Sequence, residues 1–344
     1  MWQWINRTVQ EISRELRGST FKLIVSMGGF LILWGVFAPV STIVWWLNQN
    51  AESLGWVAAP ESKPVSDLPQ SASGAKIDCY IVFLPGVGNF SPDEITAGEK
   101  HFLDRLVEQH RSCVAVKDIF PYSVANRDLG SERVFRPLWK LARDNDELLG
   151  SVLIPLRNLW RFAISSDYRY SPVYSMGIAD TIVDRMNAVH PISKQRINLI
   201  LISTSGGAQV ALGATPYLAD WLNARLTVVS IGGAFDGKAG FDYVDHVYHF
   251  QGQSDLVPTL SYVLFPSRWH WTVGSPINQA FRQGRFTVCS SGSHEHSGDK
   301  GYFGTAIALN NRPYVEQTID QVTQLPIWSL DQSPGSQCPQ RSIQ

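Results

Sequence analysis

The chain has 344 residues, of which 44% are hydrophobic, so it is long enough for one large globular domain with additional segments. It carries 29 basic and 30 acidic side chains, a formal net charge of −1. Nucleic-acid-binding domains usually show a basic stripe and a high isoelectric point, so this balance argues against a nucleic-acid partner. The four cysteines contain no CxxC pair, which argues against a zinc ribbon or a thioredoxin-type site.

The N-terminal part of the chain predicts a membrane anchor. Residues 23–47 form an uncharged apolar stretch of 25 residues, which as a helix measures about 37 Å and exceeds a hydrocarbon core of about 30 Å. A cleaved signal peptide is the alternative, but its apolar core is usually about 7–15 residues. Lys63 is the only basic residue between this stretch and residue 70, whereas four precede it: Arg7, Arg14, Arg17 and Lys22. We therefore expect a single-pass membrane protein with a cytoplasmic N-terminus and an extracytoplasmic main domain.

Three further segments are predicted to lie outside the folded domain. Residues 1–22 are expected to form a short amphipathic segment that leads into the transmembrane helix. Residues 48–76 are rich in Ala, Ser and Pro without an apolar period, which is typical of a flexible linker. Residues 326–344 are predicted to be a disordered tail, because the sequence from Asp331 onward is dominated by small and polar residues.

Residues 77–325 alternate short β-rich runs with helical stretches, which predicts an α/β domain with a doubly wound, mostly parallel sheet. Most of the runs are continuous in Val, Ile, Leu and Phe, as expected for strands covered on both faces. The predicted strands are 79–84, 113–120, 197–203, 226–231, 246–250 and 285–289. The predicted helices are about 93–110, 174–189, 206–224, 274–283 and 312–324.

The interval 123–171 breaks this alternation and predicts a helical insertion above the sheet, which we interpret as a lid. It contains two pieces rich in arginine and aromatic residues, RVFRPLWKLAR and LIPLRNLWRFAIS. Arg157 and Arg161 lie among leucines and aromatic residues, a pattern that suits an amphipathic helix at the surface of an anionic membrane. A lid helix packed on its own domain explains the same pattern, and the sequence leaves both interpretations open.

The predicted strand 197–203 runs into Thr204-Ser205-Gly206-Gly207 and then into a helical sequence. A serine on such a sharp turn needs small residues two positions before and after it, and Ser203 and Gly207 fill these positions. The pattern Ser-Thr-Ser-Gly-Gly resembles the G-x-S-x-G nucleophile elbow of the α/β-hydrolases, with serine in place of the first glycine. The Gly206 N–H would lie at the helix N-terminus, where the dipole favours a developing anion.

The resemblance to α/β-hydrolases extends to the loops that follow three other predicted strands. The sequence Pro-Gly-Val-Gly-Asn follows the first strand, and the resemblance implies that the backbone N–H of Val87, or else of Gly88, is the second oxyanion donor. The sequence Gly-Gln-Ser-Asp follows the strand 246–250 and makes Asp255 the candidate acid, with Asp236 as the alternative.

The histidine of this family lies in the loop after the last strand, where the sequence has His294-Glu295-His296 followed by Ser-Gly and Gly-Tyr. We favour His296 as the catalytic base, with His294 as the alternative. The order serine, aspartate, histidine along the chain is that of the α/β-hydrolase triad. A zinc site at the two histidines is disfavoured, because Asp299 alone lies nearby as a third ligand, so we expect no metal and no cofactor.

The resemblance implies a serine hydrolase that cleaves an ester through an acyl-enzyme. The predicted anchor favours a lipid or acyl ester as substrate and the membrane bilayer as a partner. Two alternatives remain open, which are an inactive binding or scaffold protein and an acyltransferase that uses the same triad. The resemblance also places the strands beginning at Cys79 and Cys113 side by side, so a disulfide between them is expected in an extracytoplasmic domain. Cys289 is read as a buried strand residue, and Cys338 lies in the predicted tail.

Overall fold

The computed structural model describes residues 77–92, 94–124, 126, 151–167, 170–238, 240–308, 311–332, 334, 335 and 338. The predicted N-terminal segment, the transmembrane stretch and the linker lie outside these residues, as does the part of the predicted insertion between residues 127 and 150. Among the helices in the described part of the chain, none is both long and apolar enough to cross a membrane.

The centre of the domain is a sheet of six strands that all run parallel, so the fold is of the α/β class. The strands are β1 (Cys79–Leu84), β2 (Cys113–Val116), β3 (Ile197–Thr204), β4 (Ala224–Ile231), β5 (His246–Gly252) and β6 (Phe286–Gly292). Their order across the sheet is β2-β1-β3-β4-β5-β6. The chain therefore builds the sheet outward from β1 in one direction to β2 and then in the other direction from β3 to β6. In open parallel sheets, ligands bind beyond the carboxyl ends of the strands at the point where this direction reverses, here between β1 and β3.

Seven α-helices and one short 3₁₀ helix (Pro266–Arg268) are described. The α-helices are α1 (Ala97–Gln109), α2 (Ser151–Ser166), α3 (Ser171–Val189), α4 (Gly207–Trp221), α5 (Val257–Leu264), α6 (Pro276–Arg282) and α7 (Tyr314–Thr323). Helix α1 begins at Ala97, a few residues after the predicted start, with a capping box: the Thr96 hydroxyl accepts from the Glu99 N–H at 3.2 Å, and the Thr96 N–H donates to the Glu99 carboxylate at 2.8 Å. Helix α5 was absent from the sequence prediction, since its eight residues are too short a run for a helical period to be recognised.

Both faces of the sheet are covered, as the continuous apolar runs predict. Along β1, Tyr80, Val82 and Leu84 point into one core, whereas Ile81 and Phe83 point into the other. The first core lies under α2, α3 and α4, and the second lies under α1 and α7. This two-sided burial explains why the strands are uniformly apolar rather than alternating.

Two disulfides join the four cysteines. Cys79 and Cys113 are direct neighbours in the register of β1 and β2 and are bonded, as the resemblance implies. Cys289 in β6 is bonded to Cys338, a pairing that the sequence reasoning did not include.

The expectation of a disordered tail from residue 326 is wrong for the first residues of this segment. Ile327 and Trp328 are buried in the second core, and Trp328 stacks on His110 with ring centroids 3.8 Å apart. The backbone oxygen of Ile327 accepts hydrogen bonds from Asn198 at 2.6 Å and from Arg225 at 2.7 Å. Composition favoured disorder, but two large apolar side chains and a distant disulfide hold this segment against the sheet.

Candidate active site

Ser205 lies on the turn between β3 and α4, at the carboxyl edge of the sheet. Its φ angle is +48°, and the other non-glycine residues with positive φ in the described chain are two asparagines, which tolerate that region better. The Ser205 carbonyl accepts a hydrogen bond from the Ala234 N–H at 2.9 Å, which helps to hold the turn. A serine kept in a disfavoured backbone conformation by its surroundings is typical of functional turns.

The turn also requires the small residues that the sequence analysis identified. A Cβ atom on Gly207 would lie 2.5 Å from the Leu84 carbonyl oxygen and 2.6 Å from that of Pro85. Only glycine permits this approach between the start of α4 and the end of β1. Ser203 is fully buried in β3, on the same face of the sheet as Leu199 and Leu201.

The structure brings Ser205, Asp255 and His296 together in one hydrogen-bonded line. The Nε2 atom of His296 is 3.1 Å from the Ser205 hydroxyl, and its Nδ1 atom is 3.0 Å from both carboxylate oxygens of Asp255. A carboxylate only accepts hydrogen bonds, so Nδ1 carries the proton and Nε2 is left to accept from the hydroxyl. The Asp255 side chain is inaccessible to solvent, whereas that of His296 is 31% exposed, so the line runs from the interior towards the surface.

Tyr302 supports the buried carboxylate and was not predicted as a site residue. Its hydroxyl donates to Asp255 Oδ2 at 2.8 Å and accepts from the Gly252 N–H at 2.8 Å. Burial and the adjacent charge of Asp255 raise the pKa of Tyr302 far above its ordinary value, so its hydroxyl remains a donor. The Val257 N–H donates to Asp255 Oδ1 at 2.9 Å. The Gly-Tyr pair after the histidine loop was noted in the sequence, but nothing local links it to a loop 47 positions earlier.

The two alternative site residues have other partners. His294 is fully buried, with Nδ1 2.6 Å from the Ser291 carbonyl and Nε2 3.2 Å from the Tyr314 carbonyl, so His294 supports the loop rather than the serine. The Asp236 carboxylate accepts from the Lys238 N–H at 3.0 Å. It is Asp255 whose oxygens both face His296, so the alternatives His294 and Asp236 are not members of this arrangement.

The loop after β1 lies directly beside Ser205. A Cβ atom on Gly86 would be 3.1 Å from Ser205 Cβ, and one on Gly206 would be 3.0 Å from Val87 Cγ1. Within the described residues, the backbone N–H groups of Val87 and Gly206 have no hydrogen-bond acceptor. Gly88 is exposed, and no atom lies within 4 Å of the position of its Cβ, so Val87 is the better candidate donor of the two.

Helix α2 holds this loop in place through a side chain that the sequence analysis did not single out. The Asn158 side-chain amide donates to the Val87 and Asn89 carbonyl oxygens, each at 2.7 Å. Arg157 donates to the Tyr122 carbonyl at 2.7 Å and to the Asn158 side-chain oxygen at 3.1 Å. Both carbonyls are therefore held by α2, which fixes the position of the loop beside Ser205.

The burial of the two arginines decides between the interpretations of this helix. Arg157 is 2% exposed and Arg161 is 5% exposed, so neither can reach a lipid surface. The interpretation of α2 as an interfacial helix with these arginines at the membrane is wrong. Helix α2 is instead packed on its own domain beside the candidate site, where Phe162 lies 3.2 Å from the Cβ position of Gly206.

No group of three histidine, cysteine, aspartate or glutamate residues that could hold a metal occurs within the described residues. His294 and His296 face separate partners, so the histidine pair does not form a chelating site. The site is a hydrogen-bonded line of a hydroxyl, an imidazole and a carboxylate.

No model of a known protein family matches this chain, and no curated protein matches it either.

Proposed function

We propose that this chain is a serine hydrolase of the α/β-hydrolase type, which cleaves an ester through a covalent intermediate on Ser205. The observation that carries the proposal is the line from Ser205 through His296 to the buried carboxylate of Asp255. The strand order and the strained turn at Ser205 support it, because a nucleophile elbow lies above the carboxyl ends of the central parallel strands.

The geometry supports a two-step reaction. As Ser205 Oγ attacks the ester carbonyl carbon, His296 Nε2 takes the hydroxyl proton, and the Asp255 carboxylate stabilises the resulting imidazolium. The carbonyl oxygen becomes an oxyanion, which the N–H groups of Val87 and Gly206 are placed to stabilise. Collapse of this intermediate breaks the bond to the alcohol oxygen, which receives the proton from His296. Water then attacks the acyl-enzyme in the same manner and releases the acid and free Ser205.

We further propose that the substrate is a lipid or acyl ester and that the domain works outside the cytoplasm, anchored by residues 23–47. The two disulfides support an extracytoplasmic location, because disulfides persist mainly in oxidising compartments. The excess of basic residues before the apolar stretch supports the same orientation. Helix α2 supports an apolar substrate, because Phe162 and the Val87 side chain line the approach to Gly206.

The experiment that tests the proposal is labelling of the full-length protein with a fluorophosphonate probe, followed by mapping of the modified peptide. We expect labelling at Ser205 and hydrolysis of short acyl esters, and we expect Ser205→Ala to abolish both without changing the thermal unfolding midpoint. Ser203→Ala is the matched control, because this serine is buried in β3 two residues away. Hydrolysis that survives Ser205→Ala would refute the assignment of the nucleophile, whereas a folded but unlabelled wild-type protein would indicate a binding or scaffold protein. Release of a new ester when an alcohol is added would indicate acyl transfer.

A further inference from the structure

Helix α5 has the reverse of the polarity expected for a helix on the surface of a soluble domain. Leu260 and Leu264, one turn apart, are 55% and 61% exposed, and Val263 beside them is 60% exposed. The polar Ser261 points inward instead, where its hydroxyl bonds with the backbone of Phe235. A helix that buries its serine and exposes its aliphatic side chains loses stability in water unless an apolar environment covers its outer face.

The exposed apolar surface continues beyond α5. Leu256 immediately before the helix is 76% exposed, and three more large apolar side chains follow in the next loop and in α6. These are Trp271 at 73%, Val273 at 62% and Phe281 at 58%. Seven exposed apolar side chains within 26 residues exceed the scattered single ones that are normal on a soluble protein. We call the surface formed by these seven residues the α5–α6 face.

The charged side chains of the segment that carries the α5–α6 face are of one sign. Residues 256–294 contain no aspartate or glutamate, although the whole chain has 30 acidic residues among 344. Three arginines and two histidines lie in the same interval, of which Arg282 and His270 are exposed. An apolar surface that contains tryptophan and an exposed arginine, in a segment without acidic residues, is complementary to a membrane surface with anionic lipids.

The α5–α6 face adjoins the candidate active site. Leu256 is the residue after Asp255, and the Phe265 ring at the end of α5 contacts the Phe162 ring of α2, with centroids 6.0 Å apart. The predicted linker 48–76 has 29 residues, which as a flexible coil spans about 30 Å. Such a tether allows the carboxyl edge of the sheet to turn towards the bilayer that holds the anchor.

We propose that the α5–α6 face docks on the surface of the lipid bilayer, with its apolar side chains among the acyl chains and Arg282 at anionic headgroups. Docking of this kind brings the carboxyl edge of the sheet, where Ser205 lies, close to the membrane. The inference of docking depends on the exposed side chains and charges. The further inference that docking presents a lipid ester to Ser205 rests on the proposed function.

The test uses the full-length protein reconstituted in vesicles of phosphatidylcholine with phosphatidylglycerol. All four native cysteines are in disulfides, so Leu264→Cys introduces one thiol for an environment-sensitive NBD fluorophore. The control is Glu108→Cys, because the Glu108 side chain is 63% exposed at the end of α1, on the face of the sheet away from α5. We expect lipids with a spin label in the acyl chain to quench the fluorophore at position 264 at least about threefold more strongly than at position 108.

Each other result of this measurement overturns the proposal. Equal quenching at the two positions, or none at either, shows that the face does not enter the bilayer. A blue shift at position 264 that depends on protein density without lipid quenching shows contact with a second copy of the chain. Undiminished quenching in pure phosphatidylcholine refutes the contribution of anionic lipids.

A second variant separates docking from catalysis. Leu260→Ser with Leu264→Ser is expected to lower hydrolysis of a long-chain ester embedded in vesicles by about tenfold or more, since two leucines lose their burial in lipid. Its unfolding midpoint should equal that of the wild type, because both side chains are exposed. Unchanged vesicle hydrolysis refutes the role of the face in presenting substrate. If the wild-type protein hydrolyses no ester but the fluorophore at position 264 is still quenched by lipid, docking stands while the proposed function fails. Quenching that persists in labelled Ser205→Ala shows that docking does not depend on the nucleophile.

Discussion

Replacing Tyr302 with phenylalanine removes a single oxygen atom that has two buried partners. In Tyr302→Phe the Gly252 N–H loses its acceptor, and Asp255 Oδ2 loses a donor at 2.8 Å. A buried polar group left without a partner costs about 1–3 kcal/mol, so we expect the free energy of unfolding to fall by about 2–4 kcal/mol. For a domain of this size the unfolding midpoint should fall by about 5–10 °C.

The same change tests how the carboxylate is oriented. In this variant Asp255 still accepts a hydrogen bond from the Val257 N–H at 2.9 Å. We therefore expect kcat to fall by about tenfold with KM nearly unchanged. Replacing the acid itself by an amide is expected to lower kcat by roughly 10⁴-fold. Ester hydrolysis at several substrate concentrations and thermal unfolding measure both effects. Tyr314→Phe is the matched control, because this buried tyrosine hydroxyl pairs with the Ser293 side chain at 3.2 Å. A Tyr302→Phe variant with wild-type stability and kcat would refute the support that we assign to this hydroxyl.

Two further predictions concern the turn and the pH dependence of stability. Gly207→Ala brings a Cβ within 2.5 Å of the Leu84 carbonyl oxygen and should lower the unfolding midpoint and abolish activity. The control is Gly88→Ala, whose Cβ enters open space and should leave the midpoint unchanged. Equal midpoints for the two variants would refute the close packing of α4 against the end of β1. Burial lowers the pKa of His246 to about 4, with the charge of Arg285 adding to the effect, and burial lowers the pKa of His249 well below its ordinary value. The unfolded chain therefore binds these protons first, and stability should be lost as pH falls from about 6.5 towards 4, by at most about 3 kcal/mol for His246. Denaturant unfolding between pH 7 and pH 4 measures this loss. If the difference in free energy of unfolding between His246→Gln and the wild type stays constant across that pH range, the prediction for His246 is contradicted.

Much of the fold follows from short-range patterns in the sequence. The six strands and five of the helices were predicted near their observed positions, because a strand buried on both faces is a continuous apolar run and the helices between strands have a helical period. Helix α5 was missed because its eight residues are too short a run for a helical period to be recognised. The tail was misjudged for the opposite reason, since Ile327 and Trp328 are two apolar residues in a polar segment and their burial depends on Asn198 and Arg225.

The candidate site divides in the same way. The turn at Ser205 and the serine–aspartate–histidine order are properties of the chain itself, because a tight strand-to-helix turn must be built from neighbouring small residues. The sequence alone therefore determined the α/β class, the position of Ser205 and the loops that approach it. Which of two histidines and two aspartates face the serine, which cysteine meets Cys338 and which side of α5 faces outward were decided by tertiary structure. Each of these depends on the direction of side chains that meet across at least 26 positions of the chain, and nothing in local sequence encodes that direction.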